Sequence, residues 1–259
     1  MRIEQEVLAH WRHVSSKLYL PFHHDGIISQ FEGYEALQEF DWNIYRRKYP
    51  NVMRLDLILE AKNDTPNRYK LSKQADALML FYVFSSEELA ELFGRLGYTF
   101  DPGTIPRTID YYLRRSSHGS TLSALAHGWV LARCWRQRSW SLFTQALQSD
   151  IGDVQGGTTR EGIYLGAMAG TIDLLQRCFS GLELRGEELH FRPALPDELR
   201  RLAFRLRYRQ HSLSVDITQD ALTLASDPSG VEAISIAAGG RYIVLHPGER
   251  RSVPLARGS

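Results

Sequence analysis

The chain has 259 residues, of which 43% are hydrophobic, 11% aromatic and 24% charged, a composition typical of folded globular proteins. Thirty-one Lys and Arg residues balance thirty Asp and Glu residues, so the net charge of +1 excludes any whole-chain electrostatic case for binding nucleic acid or an anionic membrane. The longest apolar run, residues 77–84, has eight residues, whereas a membrane-spanning helix needs about 20.

The start of the chain and its cysteines predict the compartment. Residues 1–6 carry acids and lack the apolar stretch of a secretory signal. The two cysteines, Cys134 and Cys178, fit no metal or redox spacing and are interpreted as reduced thiols. We therefore expect a cytoplasmic protein that does not cross a membrane.

The first 180 residues repeat their apolar positions mainly every three or four residues, as amphipathic helices do. Val7, Leu8, Trp11 and Val14 share one helical face. Further helices are predicted over residues 77–84, 86–96, 104–115, 121–135, 139–148 and 162–179. They follow one another in pairs with short polar connections, a pattern typical of stacked helical hairpins.

After Gly181 the pattern changes to alternation of apolar and polar residues, as in half-buried strands. Following an early strand pair and a stiff segment at 192–196, strands are predicted over 202–208, 213–217, 221–225, 233–236 and 242–246. The sequence thus predicts a mostly α chain with a β appendage. Residues 1–180 would form the helical domain and residues 181–259 a small antiparallel β-sandwich.

A polar turn, residues 70–76, precedes the apolar helix that starts near Ala77. Lys73 and Gln74 stand in it, and an amide both donates and accepts hydrogen bonds whereas Lys only donates. Such a turn suits sugar hydroxyls. The alternative is a helix cap with a solvated turn.

Two further segments carry hydroxyl and backbone donors at predicted helix starts. His118, Ser120 and Thr121 form a turn that suits an anion, with capping alone as the alternative. Gly162 and Tyr164 lie at the end of a glycine-rich segment, which lacks the Lys-Ser/Thr ending of a nucleotide-binding loop. Its glycines fit either a close ligand or a tight helix crossing. No metal site is predicted, since His23-His24-Asp25 has no matching ligand spacing elsewhere.

Five segments in chain order resemble glycoside hydrolase family 65, the maltose, trehalose and kojibiose phosphorylases and their hydrolytic relatives. The most specific segment is Tyr-Lys-Leu-Ser-Lys-Gln-Ala-Asp at 69–76. The others are Ile-Ser-Gln-Phe-Glu-Gly-Tyr at 28–34, His-Gly-Ser-Thr-Leu-Ser at 118–123, Gly-Ile-Tyr-Leu-Gly-Ala-Met-Ala-Gly at 162–170 and Leu-His-Phe-Arg-Pro-Ala-Leu-Pro at 189–196. The resemblance implies the C-terminal portion of a six-hairpin α/α barrel followed by the family's small C-terminal β domain.

The resemblance also implies a reaction, in which phosphate, or water in hydrolytic members, attacks an α-glucosidic bond with inversion. Lys73 and Gln74 would bind sugar hydroxyls. The phosphate-binding residues would be His118, Ser120, Thr121, Gly162 and Tyr164. The family's general acid, a Glu in an Asp-Glu-Tyr-His-like motif, is expected before Met1, so no residue of this chain is assigned a catalytic role. The family commonly has His in place of Tyr164, and a neutral phenol makes phosphorolysis less secure.

We therefore expect a C-terminal fragment or subunit of an inverting α-glucoside phosphorylase or hydrolase that takes a trehalose-type or maltose-type disaccharide. No cofactor is expected, with inorganic phosphate as a co-substrate. Expected partners are the disaccharide and an N-terminal half chain, and homo-oligomerisation is left open. The alternatives are a non-catalytic carbohydrate-binding or structural module and a self-sufficient enzyme that uses carboxylates such as Asp76 and Glu161.

Overall fold

The chain packs as two compact units, Met1–Val130 and Leu131–Ser259. The computed structural model describes residues 4–23, 25–49, 52, 54–73, 75–117, 121–132, 135–153, 160 and 162–255. Gln74, His118, Ser120 and Glu161 of the predicted sites lie outside the described residues. No helix in the described part of the chain has the length and apolar character needed to span a membrane.

The first unit is helical. Its helices are α1 (Gln5–Ser15), α2 (Trp42–Lys48), α3 (Leu55–Glu60), α4 (Asp76–Val83), α5 (Ser86–Arg95), α6 (Thr104–Leu113) and α7 (Thr121–Ala132), the last of which ends across the unit boundary. Short 3₁₀ turns form at Tyr34–Ala36 and Pro66–Arg68. Helices α1 and α4 to α7 confirm the pattern predicted from the apolar spacing, with ends displaced by a few residues, whereas α2 and α3 were not predicted.

Buried apolar residues one turn apart position these helices. In α4, Ala77, Leu78 and Phe81 are buried, and α6 buries Ile109 and Tyr112. Ser85 caps α5, since its hydroxyl accepts from the Glu88 N–H while the Glu88 carboxylate accepts from the Ser85 N–H. The reciprocal cap explains why α5 begins where the sequence predicts.

The second unit begins with two helical segments, α8 (Arg136–Gln148) and α9 (Leu165–Asp173). A single helix was predicted over 162–179, but α9 is followed directly by a π-helix, Leu174–Phe179. The π-helix ends at Phe179, and two residues later Gly181 has a φ of +60° and would place an added Cβ 2.1 Å from the Arg192 carbonyl oxygen. Only glycine fits this close approach, which leads the chain into the β part.

Eight strands form two four-stranded sheets in the described part of the second unit. One sheet has the order β1-β2-β6-β7 and the other the order β3-β4-β5-β8. The strands are β1 (Leu182–Arg185), β2 (Glu188–Phe191), β3 (Arg201–Tyr208), β4 (His211–Thr218), β5 (Ala221–Ser226), β6 (Ile234–Ala238), β7 (Arg241–Leu245) and β8 (Arg250–Pro254). Alternate residues are buried along β4, β5 and β6, as expected of sheets that each cover a core with one face.

Two features of the β part differ from the sequence prediction. Strands β2 and β6 pair in parallel, because the chain leaves the first sheet to build β3–β5 and then returns beside β2. Strand β8 was not predicted, since Val253 is its one buried side chain and no alternation is visible. Pro254, which lacks an N–H, is accommodated because β8 is an edge strand.

Candidate functional site

The predicted sugar-binding turn lies immediately before α4, beside the segment that leads to α7. The Ser72 N–H donates to the Arg115 carbonyl at 3.1 Å, and the Ser117 N–H donates to the Ser72 carbonyl at 3.0 Å. This short parallel pairing places Lys73 next to buried Ser116 and Ser117. Residues 116–117 directly precede the predicted anion-binding turn, so two segments far apart in sequence meet here.

Lys73 is held by a carboxylate of α3. Its Nζ lies 3.0 Å from Asp56 Oδ2, and Arg54 Nε donates to Asp56 Oδ1 at 3.2 Å. Burial raises the pKa of Asp56, but the hydrogen bonds from Arg54 and Lys73 outweigh burial and lower this pKa to about 2. Asp56 is therefore charged at neutral pH and orients the half-exposed Lys73 side chain. Sequence reasoning missed Asp56, which no local motif marks.

The segment 28–34 reaches the same place through Gln30. Gln30 Oε1 accepts from the Asp76 N–H at 3.0 Å, at the first residue of α4. Helix α6 holds this segment, since the Ile28 N–H donates to Thr108 Oγ1 at 3.2 Å and the Tyr112 hydroxyl donates to the Ile28 carbonyl at 2.9 Å. Two of the segments that carry the family resemblance, 28–34 and 69–76, thus meet at the start of α4, and residues 116–117 lie beside the second.

Other cations near the turn are already paired. Arg115 donates to both carboxylate oxygens of Glu39, at 2.9 and 3.2 Å, and Lys70 Nζ lies 3.2 Å from the same group. The Arg115 guanidinium also stacks 3.7 Å from the Tyr111 ring centre. Burial raises the pKa of Glu39, but hydrogen bonds and charge attraction from Arg115 and Lys70 outweigh burial and lower it. This network joins Glu39 to Lys70 and Arg115 on either side of the paired segments.

A second pair lies against the segment 28–34. His23 Nε2 is 3.3 Å from Glu35 Oε1, which also accepts from the Ser29 hydroxyl at 2.8 Å. Burial lowers the pKa of His23, with charge attraction to Glu35 acting in the opposite direction. Near neutral pH His23 is therefore mainly uncharged, and its buried Nε2 has no hydrogen-bond partner among the described residues.

The predicted phosphate-binding residues fall in both units. Thr121 begins α7 and is buried, and His118 and Ser120 before it are not described. In the second unit, Gly162 has a φ of +98°, and Tyr164 precedes α9 with a side chain that is 49% exposed. The Tyr164 N–H donates to Asp150 Oδ2 at 3.0 Å. The Tyr164 N–H, predicted to donate to an anion, is therefore already bonded to the Asp150 carboxylate, which the sequence analysis did not identify.

Two family models together match most of the chain. The glycosyl hydrolase family 65 central catalytic domain matches residues 1–173, and the family 65 C-terminal domain matches residues 182–245. The chain belongs to glycosyl hydrolase family 65, which confirms the resemblance. The predicted domain boundary after residue 180 stays a prediction.

Individual relatives of the chain are glycosyl hydrolases and phosphorylases. An uncharacterised glycosyl hydrolase of Mycobacterium tuberculosis is 53% identical over 95% of this chain and 18% of its own length. The trehalose 6-phosphate phosphorylase of Lactococcus lactis is 33% identical over 86% of this chain and 29% of its own length. The chain therefore spans less than a third of the length of either relative.

A solved structure confirms the predicted fold class. A putative kojibiose phosphorylase from the human microbiome superimposes with a TM-score of 0.77 at 18% identity, covering 99% of this chain and 35% of its own. At this identity the likeness shows the fold: part of a helical barrel followed by a β domain.

Proposed function

We propose that the chain forms the C-terminal part of the catalytic barrel and the C-terminal β domain of an inverting α-glucoside phosphorylase. The observation that carries the proposal is the meeting of the Lys73 turn, Gln30 and residues 116–117 around the start of α4. Phosphorylase names among the relatives, for trehalose 6-phosphate and kojibiose, support it.

Lys73 and Gln74 bind hydroxyls of the glucose unit in this proposal. Asp56, which Arg54 also bonds, holds the Lys73 ammonium group in place before the sugar arrives, and this reduces the entropy lost on binding. Hydrogen bonds to the sugar that strengthen as the transition state forms lower the barrier as well as the dissociation constant.

For phosphate, the family resemblance assigns the hydroxyl and backbone donors of His118, Ser120 and Thr121 in the first unit and, separately, Gly162 and Tyr164 in the second unit. Because Asp150 takes the Tyr164 N–H, Tyr164 would donate through its phenol O–H. Phosphate attacks the anomeric carbon from the face opposite the leaving oxygen, which the general acid protonates, and β-glucose 1-phosphate is released. The general acid comes from the part of the catalytic domain that precedes this sequence in the family.

A second candidate reaction is hydrolysis. Asp150 places a carboxylate beside Tyr164, where it repels phosphate and accepts a proton from an attacking water. Under this alternative the product is free glucose and phosphate has no effect on the rate.

The test is a chimera in which this chain replaces the matching segment of Lactococcus lactis trehalose 6-phosphate phosphorylase. We expect phosphate-dependent release of β-glucose 1-phosphate from one member of a panel of trehalose 6-phosphate, trehalose, maltose and kojibiose. Lys73→Met should lower kcat/KM about 10- to 100-fold, the value of one or two charged hydrogen bonds. Lys17→Met, an exposed lysine after α1, is the matched control.

Each other outcome identifies an alternative. Glucose release that is independent of phosphate means hydrolysis. Saturable sugar binding by the 259-residue chain, without turnover by a folded chimera on any sugar, means a carbohydrate-binding module and refutes the proposal.

A further inference from the structure

A groove runs along one face of α8 in the second unit. Six residues of the helix line it, spaced three or four apart so that they share one face, and Glu198 of the loop before β3 forms the facing wall. The groove has a volume of about 530 Å³, within the range of small-molecule binding sites. The α8 residues are Gln137, Trp140, Ser141, Thr144, Gln145 and Gln148.

Trp140, the aromatic residue of the groove, packs against two buried phenylalanines. The Trp140 ring centre lies 5.0 Å from that of Phe143 and 6.1 Å from that of Phe179, and both phenylalanines are buried. Trp140 itself is only partly buried, so it presents indole surface to the groove. A preordered aromatic surface loses little entropy when a ligand stacks on it.

The polar side chains differ in whether they are already engaged. Gln137 donates to Glu198, which ties the loop to the helix, and the Thr144 hydroxyl donates to the Trp140 carbonyl at 2.9 Å. Within the described residues, Ser141, Gln145 and Gln148 make no side-chain hydrogen bond. Two amides and a hydroxyl are therefore available, and each can both donate and accept.

The charge of the lining residues favours a neutral ligand over an anionic one. Glu198 is its one charged residue and no cation is present among the lining residues, so an anionic ligand would be repelled. Amides and a hydroxyl beside an aromatic surface match a neutral polyhydroxyl ring, which offers apolar C–H faces and polar edges. The stripe from Gln137 to Gln148 is about 16 Å long at 1.5 Å per residue, enough for two or three sugar rings.

We propose that this groove is a binding site for a neutral oligosaccharide. Trp140 stacks on one sugar ring, while Gln145 and Gln148 bond its hydroxyls. The site uses none of the residues assigned above to glucose or phosphate, and its existence does not depend on the phosphorylase reaction.

The test is a titration of the intact chain with maltotriose up to about 20 mM, followed by NMR of the Trp140 indole N–H and the Gln145 and Gln148 amides. We expect saturable shifts of these three signals with a millimolar Kd. The double variant Gln145→Ala/Gln148→Ala should weaken binding at least about 10-fold, as loss of two neutral hydrogen bonds predicts. Ser141→Arg, which fills the groove and leaves both amides in place, should also weaken it.

Two controls separate this site from the sugar-binding turn. Gln5→Ala, at the exposed start of α1, should leave the affinity unchanged, and so should Lys73→Met. The proposal is wrong if the three signals do not move over the whole titration. It is also wrong if binding is lost in Lys73→Met and kept in the double variant.

Discussion

At the Lys73 turn a single carboxylate determines how the ammonium group is held. Asp56 accepts from Lys73 and from Arg54, and its pKa is lowered to about 2. Because this folded-state pKa lies below the ordinary value, the pairing stabilises the fold at pH values above that of a free aspartate and is lost as pH falls through about 2. Neutral pH therefore keeps the turn in its ordered state.

Lys73→Met should raise the pKa of Asp56 toward, but not to, its ordinary value, because Arg54 remains bound to the carboxylate. The measurement is an NMR pH titration of the Asp56 carboxyl carbon in both proteins. Asp216, whose pKa is lowered by Arg201, is the internal control and should not respond. An unchanged Asp56 titration would mean that Lys73 is not paired with it.

At the scale of elements, helix α6 holds the segment 28–34 against α4. Thr108 and Tyr112, one turn apart and both buried, bond the N–H and the carbonyl of Ile28. Satisfying both backbone groups of a buried residue fixes the path of the segment, and hence the position of Gln30 beside Asp76.

Tyr112→Phe should destabilise the fold by about 1–3 kcal/mol, because it leaves the buried Ile28 carbonyl without its donor while conserving the ring. Urea unfolding followed by circular dichroism gives the difference. Tyr111→Phe makes the same chemical change at the neighbouring, less buried residue and should cost much less. Equal losses in the two variants would contradict the role assigned to the Tyr112 hydroxyl.

At the scale of the whole molecule, α1 presents an apolar stripe that the described residues do not cover. The helix buries none of its side chains: Val7, Trp11 and Val14 are 38% to 56% exposed, and Leu18, three residues after the helix, is 58% exposed. Contiguous exposed apolar surface promotes association. The isolated chain should therefore self-associate.

Trp11→Gln should shift the chain toward monomer in sedimentation velocity at micromolar concentration, since it removes the largest side chain of the stripe. Ile44→Gln removes a comparably exposed apolar side chain from α2, outside the stripe, and should leave association unchanged. A strictly monomeric unmodified chain would refute this expectation.

Most of the helices and strands were predictable because their signals are local. The three-and-four spacing of α4 to α6 and the alternation of β3 to β5 follow from which side of each element faces the core. Strand β8 was missed because an edge strand with one buried side chain lacks alternation, and the π-helix was missed because its apolar spacing resembles that of an α-helix.

The sequence by itself determined the family and the order of the helical and β parts. It also predicts that Lys73 binds sugar, which stays a prediction. Only the tertiary structure showed the ion pair of Asp56 with Lys73 and the hydrogen bond from the Asp76 N–H to Gln30. It also showed the hydrogen bond from the Tyr164 N–H to Asp150 and the position of Glu198 opposite α8. The reason is physical: spacing along a chain records which face of an element is buried. Contacts between distant residues depend on how the intervening backbone folds back.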